Sequence, residues 1–317
     1  MSDGRFTVVM NSAAQVFGHG LSHGKEKGKG ISRAVMLEHT VFSLPFAACA
    51  LLLETKGRPG FSLSLWIFLA VFGARNAANG LNRLIDERID RENPRTAERD
   101  IPSGRVSKTD MAVFIAACGM LFLVSAWMLN PLCLMLTPVA ALLITGYSFT
   151  KRFTWLCHLW LGVTCSAAVM GSFLAVDPWA YIGYLPLTAA VALWVAGFDI
   201  LYALQDMEHD RFHGLFSVPA RFGLKGARLI AAACHGGTVL ALGAVMFFYP
   251  TGFWYLAGVI VAAGILTAEH IIAGTYRGGT DTGQVKTAAY TLNQWLSPVF
   301  LLFATLDIYL PGCMYGN

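Results

Sequence analysis

The sequence predicts an all-α, polytopic membrane protein built from two internally related halves. Hydrophobic residues make up 56% of its 317 residues and charged residues 13%, whereas a soluble domain carries about 25% charged residues. Apolar segments of about 20 residues, the length of a membrane-spanning helix, recur with polar breaks between them. Two acidic motifs of matching spacing indicate the internal duplication.

Nine apolar segments are the predicted transmembrane helices, which we expect to surround a central cavity. The first is short for a straight crossing and contains Pro45, so a kinked or partly interfacial helix is expected. Very short connections, such as Asn130-Pro131, require antiparallel neighbours. The nine segments are roughly residues 39–54, 61–81, 110–129, 131–150, 157–176, 180–203, 227–249, 252–274 and 288–310.

The distribution of basic residues predicts the orientation. Lysines and arginines concentrate in the N-terminal tail and after the second, fourth, sixth and eighth segments, whereas the alternate connections hold only Lys56 and Arg58. By the positive-inside rule, the tail and the basic connections face the cytoplasm. We therefore expect a cytoplasmic tail over residues 1–34 and a transmembrane domain over residues 35–317. The expected surroundings are the lipid of the cell inner (plasma) membrane, without a nucleic-acid partner.

The cysteines and three of the eight histidines are predicted to be packing or interfacial residues. The seven cysteines lie mostly in apolar segments and form no CxxC pair, so no zinc site is expected. His39, His158 and His235 are interpreted as interfacial or packing residues. Three weaker polar candidates are predicted either to line the cavity or to hydrogen-bond between helices, namely Glu269, His270 and Asn293.

The first acidic motif, N-R-L-I-D-E-R-I-D, follows the second apolar segment directly. Asn82, Asp86 and Asp90 are spaced four residues apart, which places them on one face of a helix. The C-terminal end of a helix is unfavourable for carboxylates, because the helix dipole is negative there and like charges four residues apart repel. We therefore expect positive charge beside this motif.

The second motif repeats this arrangement after the sixth apolar segment. Asp199, Tyr202, Asp206 and Asp210 again share one helical face. Asp206 and Asp210 each lie 120 residues after their counterparts in the first motif. The constant offset indicates that each half of the chain carries one acidic helix end.

Two interpretations account for this concentration of charge. The carboxylates could pair with arginines and lysines of the same connections, although such pairs are individually weak. Alternatively, Mg²⁺ ions, which bind carboxylate and phosphate oxygens, could bridge the motifs to a diphosphate whose remaining charge contacts basic side chains. Only the second interpretation explains the one-face spacing and its repetition.

A prenyl diphosphate suits such a site, because its tail is apolar and its head is charged. Loss of the diphosphate leaves an allylic cation, which aromatic faces stabilise and a dry cavity protects from water. Aromatic residues near the motifs are candidates for this contact, although each could equally be a packing residue; they are Tyr147, Phe149, Trp194, Phe198 and Tyr202.

Both motifs resemble those of the UbiA superfamily of intramembrane aromatic prenyltransferases, particularly its 4-hydroxybenzoate polyprenyltransferase branch. The first motif and the following N-P-R-T-A-E-R-D-I-P-S-G resemble the family's NxxxDxxxD helix and loop. D-I-L-Y-A-L-Q-D-M-E-H-D resembles its DxxYAxxDxxxD segment. Y-S-F-T-K-R-F-T (147–154) resembles a third stretch, and E-H-T-V-F-S-L-P-F (38–46) resembles the opening helix. The resemblance spans about residues 35–310.

The resemblance implies roles for the matching residues. The implied metal ligands are Asp86, Asp90, Asp206 and Asp210. Contacts with the diphosphate or with the acceptor's carboxylate are implied for Asn82, Arg75, Lys151 and Arg152. Asp199 and Tyr202 would orient the acceptor or help remove its proton, and Asp199 could equally pair with Arg75. Where many members have lysine this chain has Phe212, so Arg211 is the expected substitute for that diphosphate contact.

The implied activity is Mg²⁺-dependent transfer of a polyprenyl group from polyprenyl diphosphate to a ring carbon of a small aromatic acid. The first choice of acceptor is 4-hydroxybenzoate, in ubiquinone or menaquinone biosynthesis. A hydroxynaphthoate in a futalosine-type menaquinone route is the close alternative, because residues 147–158 resemble the variant found there. A cation-coupled transporter is an alternative of another class, since transporters also contain internal repeats and intramembrane carboxylates.

Overall fold

The computed structural model describes residues 28, 30–33, 35, 40–179, 181–279 and 283–310, with side chains from residue 44 onwards in the first helix. Within these ranges the chain is helical and contains no strand, which confirms the predicted all-α class. The helices are α1 (Thr40–Glu54), α2 (Phe61–Ile85), α3 (Glu87–Glu92), α4 (Lys108–Leu129), α5 (Pro131–Met135), α6 (Thr137–Thr150), α7 (Cys157–Val176), α8 (Tyr184–Tyr202), α9 (Met207–Phe212), α10 (Val218–Ala244), α11 (Phe253–Thr275), α12 (Gly283–Lys286) and α13 (Asn293–Tyr309).

Six helices of the described chain are long and apolar enough to cross a membrane, which makes the protein an integral membrane protein. They are α2, α4, α7, α8 with its continuation to Phe212, α10 with its continuation to Phe247, and α11. The other predicted crossings coincide with the shorter helices α1, α6 and α13. Nine crossings, two related halves and the orientation in the membrane stay predictions.

The α8 helix lies at the centre of the packed helices. It packs against α7 and α10, and its residues Leu187, Val191 and Trp194 are almost fully buried. The Trp194 ring contacts Phe46 of α1 at a centroid distance of 5.3 Å, and Phe46 contacts Phe300 of α13 at 5.5 Å. This packing holds in place the helix whose C-terminal end carries the second acidic motif.

Both acidic motifs lie where a long helix ends. α2 ends at Ile85, and Asp86 (φ −93°, ψ 6°) separates it from α3. α8 ends at Tyr202, a 3₁₀ turn follows, and Asp206 (φ −98°, ψ 1°) precedes α9. The prediction of one continuous helical face is therefore wrong, because the helix is interrupted at Asp86 in the first motif and at Asp206 in the second. A backbone hydrogen bond of 2.7 Å from Asp90 N–H to the Asp86 carbonyl still keeps these residues on neighbouring turns.

Glycines allow two pairs of helices to approach closely. A Cβ at Gly162 of α7 would lie 2.1 Å from the carbonyl oxygen of Ala192 in α8. A Cβ at Gly73 of α2 would lie 2.7 Å from the carbonyl oxygen of Cys118 in α4. Small residues at such crossings are typical of helix packing in membranes, and these two set the spacing of the helices beside the cavity described below.

We expect Gly162→Ala to destabilise the protein by about 1–3 kcal/mol, because α7 and α8 must separate to admit the methyl group. Gly171→Ala in the same helix is the matched control, since nothing lies within 4 Å of a Cβ there. Thermal unfolding of both variants in detergent micelles measures the difference. Equal melting temperatures would contradict the close approach of α7 and α8.

Candidate active site

An apolar cavity of about 570 Å³ lies among α2, α4, α6, α7 and α8. Most of its wall is aliphatic or aromatic. Its polar lining comes largely from the C-terminal halves of α2 and α8, and includes Arg75, Asn79, Asn82, Asp199 and Tyr202. The cavity therefore joins a long apolar volume to the helix ends that carry the acidic motifs.

Both carboxylates of the first motif accept hydrogen bonds from neighbouring side chains. Asn82 donates from Nδ2 to Asp86 Oδ2 at 2.7 Å, and Arg152 donates from Nη2 to Asp86 Oδ1 at 3.4 Å. Both oxygens of Asp90 accept from Arg99 Nη1 at 2.7 Å. Burial, followed by repulsion from Asp90, raises the pKa of the Asp86 carboxyl, although Arg152 opposes this shift. Asp86 thus remains open to a further positive charge.

The second motif is held mainly by residues from other parts of the chain. Asp206 accepts a two-pronged pair of hydrogen bonds from Arg95, at 2.8 and 2.7 Å, and a third from Asn93 Nδ2 at 3.1 Å. Asp210 Oδ1 accepts from Lys151 Nζ at 3.1 Å. Asp210 Oδ2 is buried and has no hydrogen-bond partner in the described part of the chain. Such an oxygen is costly to leave unpaired.

Two connections bring the motifs together at one end of the helix bundle. Two consecutive residues after α6 contact different motifs: Lys151 pairs with Asp210 of the second motif, and Arg152 pairs with Asp86 of the first. The loop after the first motif reaches the second motif through Arg95. Burial disfavours the charged form of Lys151, but carboxylates of the second motif outweigh it and raise its pKa. Lys151 is therefore a cation lying between the two motifs.

The chemistry of the donors fits a hard divalent cation. Carboxylate and amide oxygens are the ligands that Mg²⁺ prefers, and the unpartnered Asp210 Oδ2 is an oxygen that a cation would satisfy. Within the described ranges, no three His, Cys, Asp or Glu side chains stand already grouped as a metal centre. Instead, cationic side chains neutralise the aspartates, as the first interpretation of the sequence expected.

Most of the residues that the sequence singled out lie in this region. Arg75, Asn82, Asp199 and Tyr202 line the cavity, and so do Tyr147, Trp194 and Phe198. The four motif aspartates, Lys151 and Arg152 lie at the helix ends beside it, as their contacts show. Arg211 is not brought into this group, because its Nε donates to the Ala220 carbonyl at 2.9 Å. Phe149 lies outside the cavity lining, with the Arg152 guanidinium 5.1 Å from its ring centroid.

The structure does not form the Asp199–Arg75 pair that the sequence left open, and it gives His158 a polar partner that the sequence did not indicate. Asp199 Oδ2 lies 2.7 Å from Nδ1 of His158, so His158 is more than a packing residue and Asp199 is not paired with Arg75. Arg75 instead approaches the Cys165 sulfur, with Nη1 at 2.9 Å, and its buried Nε has no partner among the described residues. His158 and Asp199 are 41 positions apart in the sequence, so no local pattern indicates this contact.

The three polar candidates in α11 and α13 lie outside the cavity lining. Asn293 accepts a hydrogen bond from Trp194 Nε1 at 2.5 Å, and His270 Nε2 lies 3.0 Å from His235 Nδ1. Asn293 and His270 therefore form hydrogen bonds between helices, whereas Glu269 is fully buried and its carboxylate oxygens have no hydrogen-bond partner among the described residues. His39 lies outside the described residues.

Two features of the site were missed by sequence reasoning. Arg95 and Asn93 bind Asp206 across 111 and 113 residues, and only their position in a basic loop hinted at a role. The short loop before α10 was also missed: Phe216 N–H donates to the Lys151 carbonyl at 2.8 Å, which fixes that loop against the end of α6.

A family model described as the UbiA prenyltransferase family matches residues 43–285. The 4-hydroxybenzoate octaprenyltransferase of Coxiella burnetii is 31% identical over 218 residues, which cover 67% of this chain and 74% of that protein. The protein of the same name from Marinobacter nauticus is 31% identical over 261 residues, covering 82% of this chain and 86% of that protein. The chain belongs to the UbiA prenyltransferase family.

Solved structures agree with this assignment. A UbiA homologue from Aeropyrum pernix superposes with a TM-score of 0.77 at 33% identity, over 86% of this chain and 98% of that one. A UbiA homologue from Archaeoglobus fulgidus bound to GPP and Mg²⁺ shares the fold, with a TM-score of 0.64 at 18% identity, over 89% of this chain and 100% of that one. As a family member the chain is an aromatic prenyltransferase, which replaces the transporter alternative.

We expect Arg95→Ala to lower the stability of the metal-free protein, because Asp206 loses two charge-assisted hydrogen bonds and stays buried. The loss should be about 1–3 kcal/mol, since Arg95 is itself partly exposed. Arg88→Ala is the matched control, because Arg88 pairs with Glu92 at the surface. Melting temperatures in detergent with EDTA measure both, and similar values would count against the neutralising role of Arg95.

Proposed function

We propose that the protein is a Mg²⁺-dependent transferase that moves a polyprenyl group from polyprenyl diphosphate onto a ring carbon of a small aromatic acid, first of all 4-hydroxybenzoate. One observation carries this proposal: the two acidic motifs lie side by side, joined by Lys151 and Arg152, next to the polar end of an apolar cavity. The names of the relatives support the acceptor, since those proteins are 4-hydroxybenzoate octaprenyltransferases.

The aspartates of the two motifs would hold the metal, and the basic side chains around them would hold the diphosphate. When bound, Mg²⁺ would neutralise the departing diphosphate and so help the allylic C–O bond to break. Lys151 and Arg152 are ready cationic partners for phosphate oxygens, because each donates a single hydrogen bond to a carboxylate, at 3.1 and 3.4 Å. Asn82 would add an amide contact beside them.

The cavity would hold the prenyl tail and keep water away from the cation. Its wall is dominated by aliphatic side chains of α2, α4, α6 and α7, which gain nothing from water and bury an isoprenoid chain favourably. Trp194 and Phe198, whose rings meet edge to face at 5.5 Å, lie on the same wall. Their π faces are suited to an allylic cation.

Arg75 is the residue that we assign to the acceptor's carboxylate. It lines the cavity, and no described carboxylate pairs with it. A half-buried arginine whose buried Nε has no hydrogen-bond partner among the described residues gains strongly from an anionic ligand. Asp199 and Tyr202 line the same cavity and would orient the ring between Arg75 and the diphosphate.

A hydroxynaphthoate is the alternative acceptor, because it carries the same carboxylate and hydroxyl groups on a wider ring. The observation that favours it is the resemblance of residues 147–158 to the variant of futalosine-type menaquinone producers. We also propose that residues 35–317 form one prenyltransferase domain in the plasma membrane. The basic loops around the motifs favour a cytoplasmic position for the N-terminal tail and both motifs.

We expect Asp86→Ala and Asp206→Ala each to lower Mg²⁺-dependent diphosphate release at least a hundredfold, because each removes a carboxylate needed to hold the metal–diphosphate group. The assay supplies a polyprenyl diphosphate and 4-hydroxybenzoate to the purified protein and measures pyrophosphate. Glu208→Ala is the matched control, since Glu208 lies on α9 between two motif aspartates but is exposed. Normal release by either aspartate variant would show that the metal assignment is wrong.

We expect Arg75→Gln to raise KM for the aromatic acid about tenfold while KM for the prenyl diphosphate changes little, because only the acceptor's carboxylate loses its counter-charge. Arg58→Gln, at an exposed position before α2, serves as the control. Running the assay with 4-hydroxybenzoate and with a hydroxynaphthoate decides between the two acceptors. An increase confined to the KM of the prenyl diphosphate would instead assign Arg75 to the diphosphate.

A further inference from the structure

His158 is a buried titratable residue to which the proposed function assigns no role. It is the second residue of α7 and is only 2% exposed. Its ring lies between Asp199 of α8 and the first residue of α10, Val218, and contacts both. A polar ring buried in this way must have its hydrogen bonds satisfied, and both of its nitrogens are engaged.

The hydrogen bonds define which nitrogen of His158 carries the proton. The backbone N–H of Val218 donates to Nε2 at 3.3 Å, so Nε2 is an acceptor and bears the lone pair. The proton of the neutral ring is then on Nδ1, which donates to Asp199 Oδ2 at 2.7 Å. Val218 follows the N-cap Ser217 and has its place fixed by the start of α10, so the ring cannot turn without losing this bond.

This arrangement leaves one oxygen of Asp199 for a ligand. Oδ2 is taken by His158, whereas Oδ1 accepts no hydrogen bond from the described residues, and Asp199 lines the cavity. A carboxylate held on one side and open on the other is a preorganised hydrogen-bond acceptor. Its negative charge would repel the carboxylate of an aromatic acid, which Arg75 attracts, and would favour the hydroxyl of the ring.

We propose that His158 is a positioning residue that fixes Asp199 to accept the hydrogen bond of the acceptor's ring hydroxyl. This inference rests on the proposed function and adds a specificity rule to it: the acceptor must present an O–H, or another donor, opposite its carboxylate. Binding of the acceptor and its reaction with the allylic cation depend on the His158–Asp199 pair. Binding of the prenyl diphosphate does not.

The test compares wild-type protein with His158→Leu and His158→Gln. Leucine removes both hydrogen bonds at similar volume, whereas glutamine can still donate to Asp199. We expect H158L to lose at least tenfold in kcat/KM for 4-hydroxybenzoate, with KM for the prenyl diphosphate unchanged within twofold, and H158Q to keep most of the wild-type value. His235→Leu is the matched control, since His235 is equally buried and lies outside the cavity lining.

A second measurement separates positioning from general loss of structure. 4-Methoxybenzoate keeps the carboxylate but cannot donate a hydrogen bond, whereas 4-aminobenzoate can. As inhibitors of the wild-type protein, the amino compound should bind at least tenfold more tightly than the methoxy compound, and in H158L that preference should fall to within threefold. If H158L does not fold, His158→Asn replaces it, because the shorter amide keeps the site polar but cannot span from Val218 to Asp199.

The outcomes separate the two proposals. Absence of prenyl transfer to any hydroxylated aromatic acid by the wild-type protein would refute the proposed function itself. Transfer by the wild-type protein, combined with an unchanged preference for the amino over the methoxy compound in H158L or H158N, would overturn the role of His158 alone. A loss of the same size in H235L would likewise overturn it, because the effect would then come from disturbed packing.

Discussion

Neutralisation of four aspartates at the ends of two apolar helices is the constraint on which the rest of the structure depends. The helix dipole is already negative where α2 and α8 end, and a buried carboxylate without a counter-charge costs several kcal/mol. Within the apolar helices, Arg83 of α2 approaches Asp90, but only at 3.8 Å. Loops must therefore fold over the helix ends to deliver Arg95, Arg99, Lys151 and Arg152. The contacts of these loops join the two acidic motifs at one end of the helix bundle.

The same constraint links stability to function. In the protein without substrate, the arginines act as counter-ions of the aspartates, and the balance is incomplete: burial raises the pKa of Asp86, and one oxygen of Asp210 is buried without a partner. A ligand that brings both phosphate charge and divalent metal suits such a site, because the cations can turn to the phosphate while the carboxylates turn to the metal. Local rules of charge balance are often broken at functional sites in this way.

Periodicity was enough to predict what is local in this molecule. The apolar segments predicted the helices. The four-residue spacing of Asn82, Asp86 and Asp90 predicted that these three residues lie on adjacent turns. The bends at Asp86 and Asp206 escaped prediction, since a change of two dihedral angles leaves no trace in an i, i+4 pattern. Pairs that join distant segments, such as Arg95 with Asp206, depend on where a loop crosses the helix ends. A single sequence does not show that position.

The cavity itself limits what the acceptor can be. Its mostly apolar wall contains Arg75, a guanidinium that pairs with no described carboxylate, and Asp199, a carboxylate held by His158. Charges in such surroundings interact strongly with a ligand that replaces the water, because the apolar wall screens them little. An aromatic molecule with no polar groups would leave both unsatisfied, and a diacid would meet repulsion at Asp199. A small ring that carries one carboxylate and one hydrogen-bond donor would satisfy both residues at once, and the proposed acceptor, a hydroxylated aromatic acid, carries both groups.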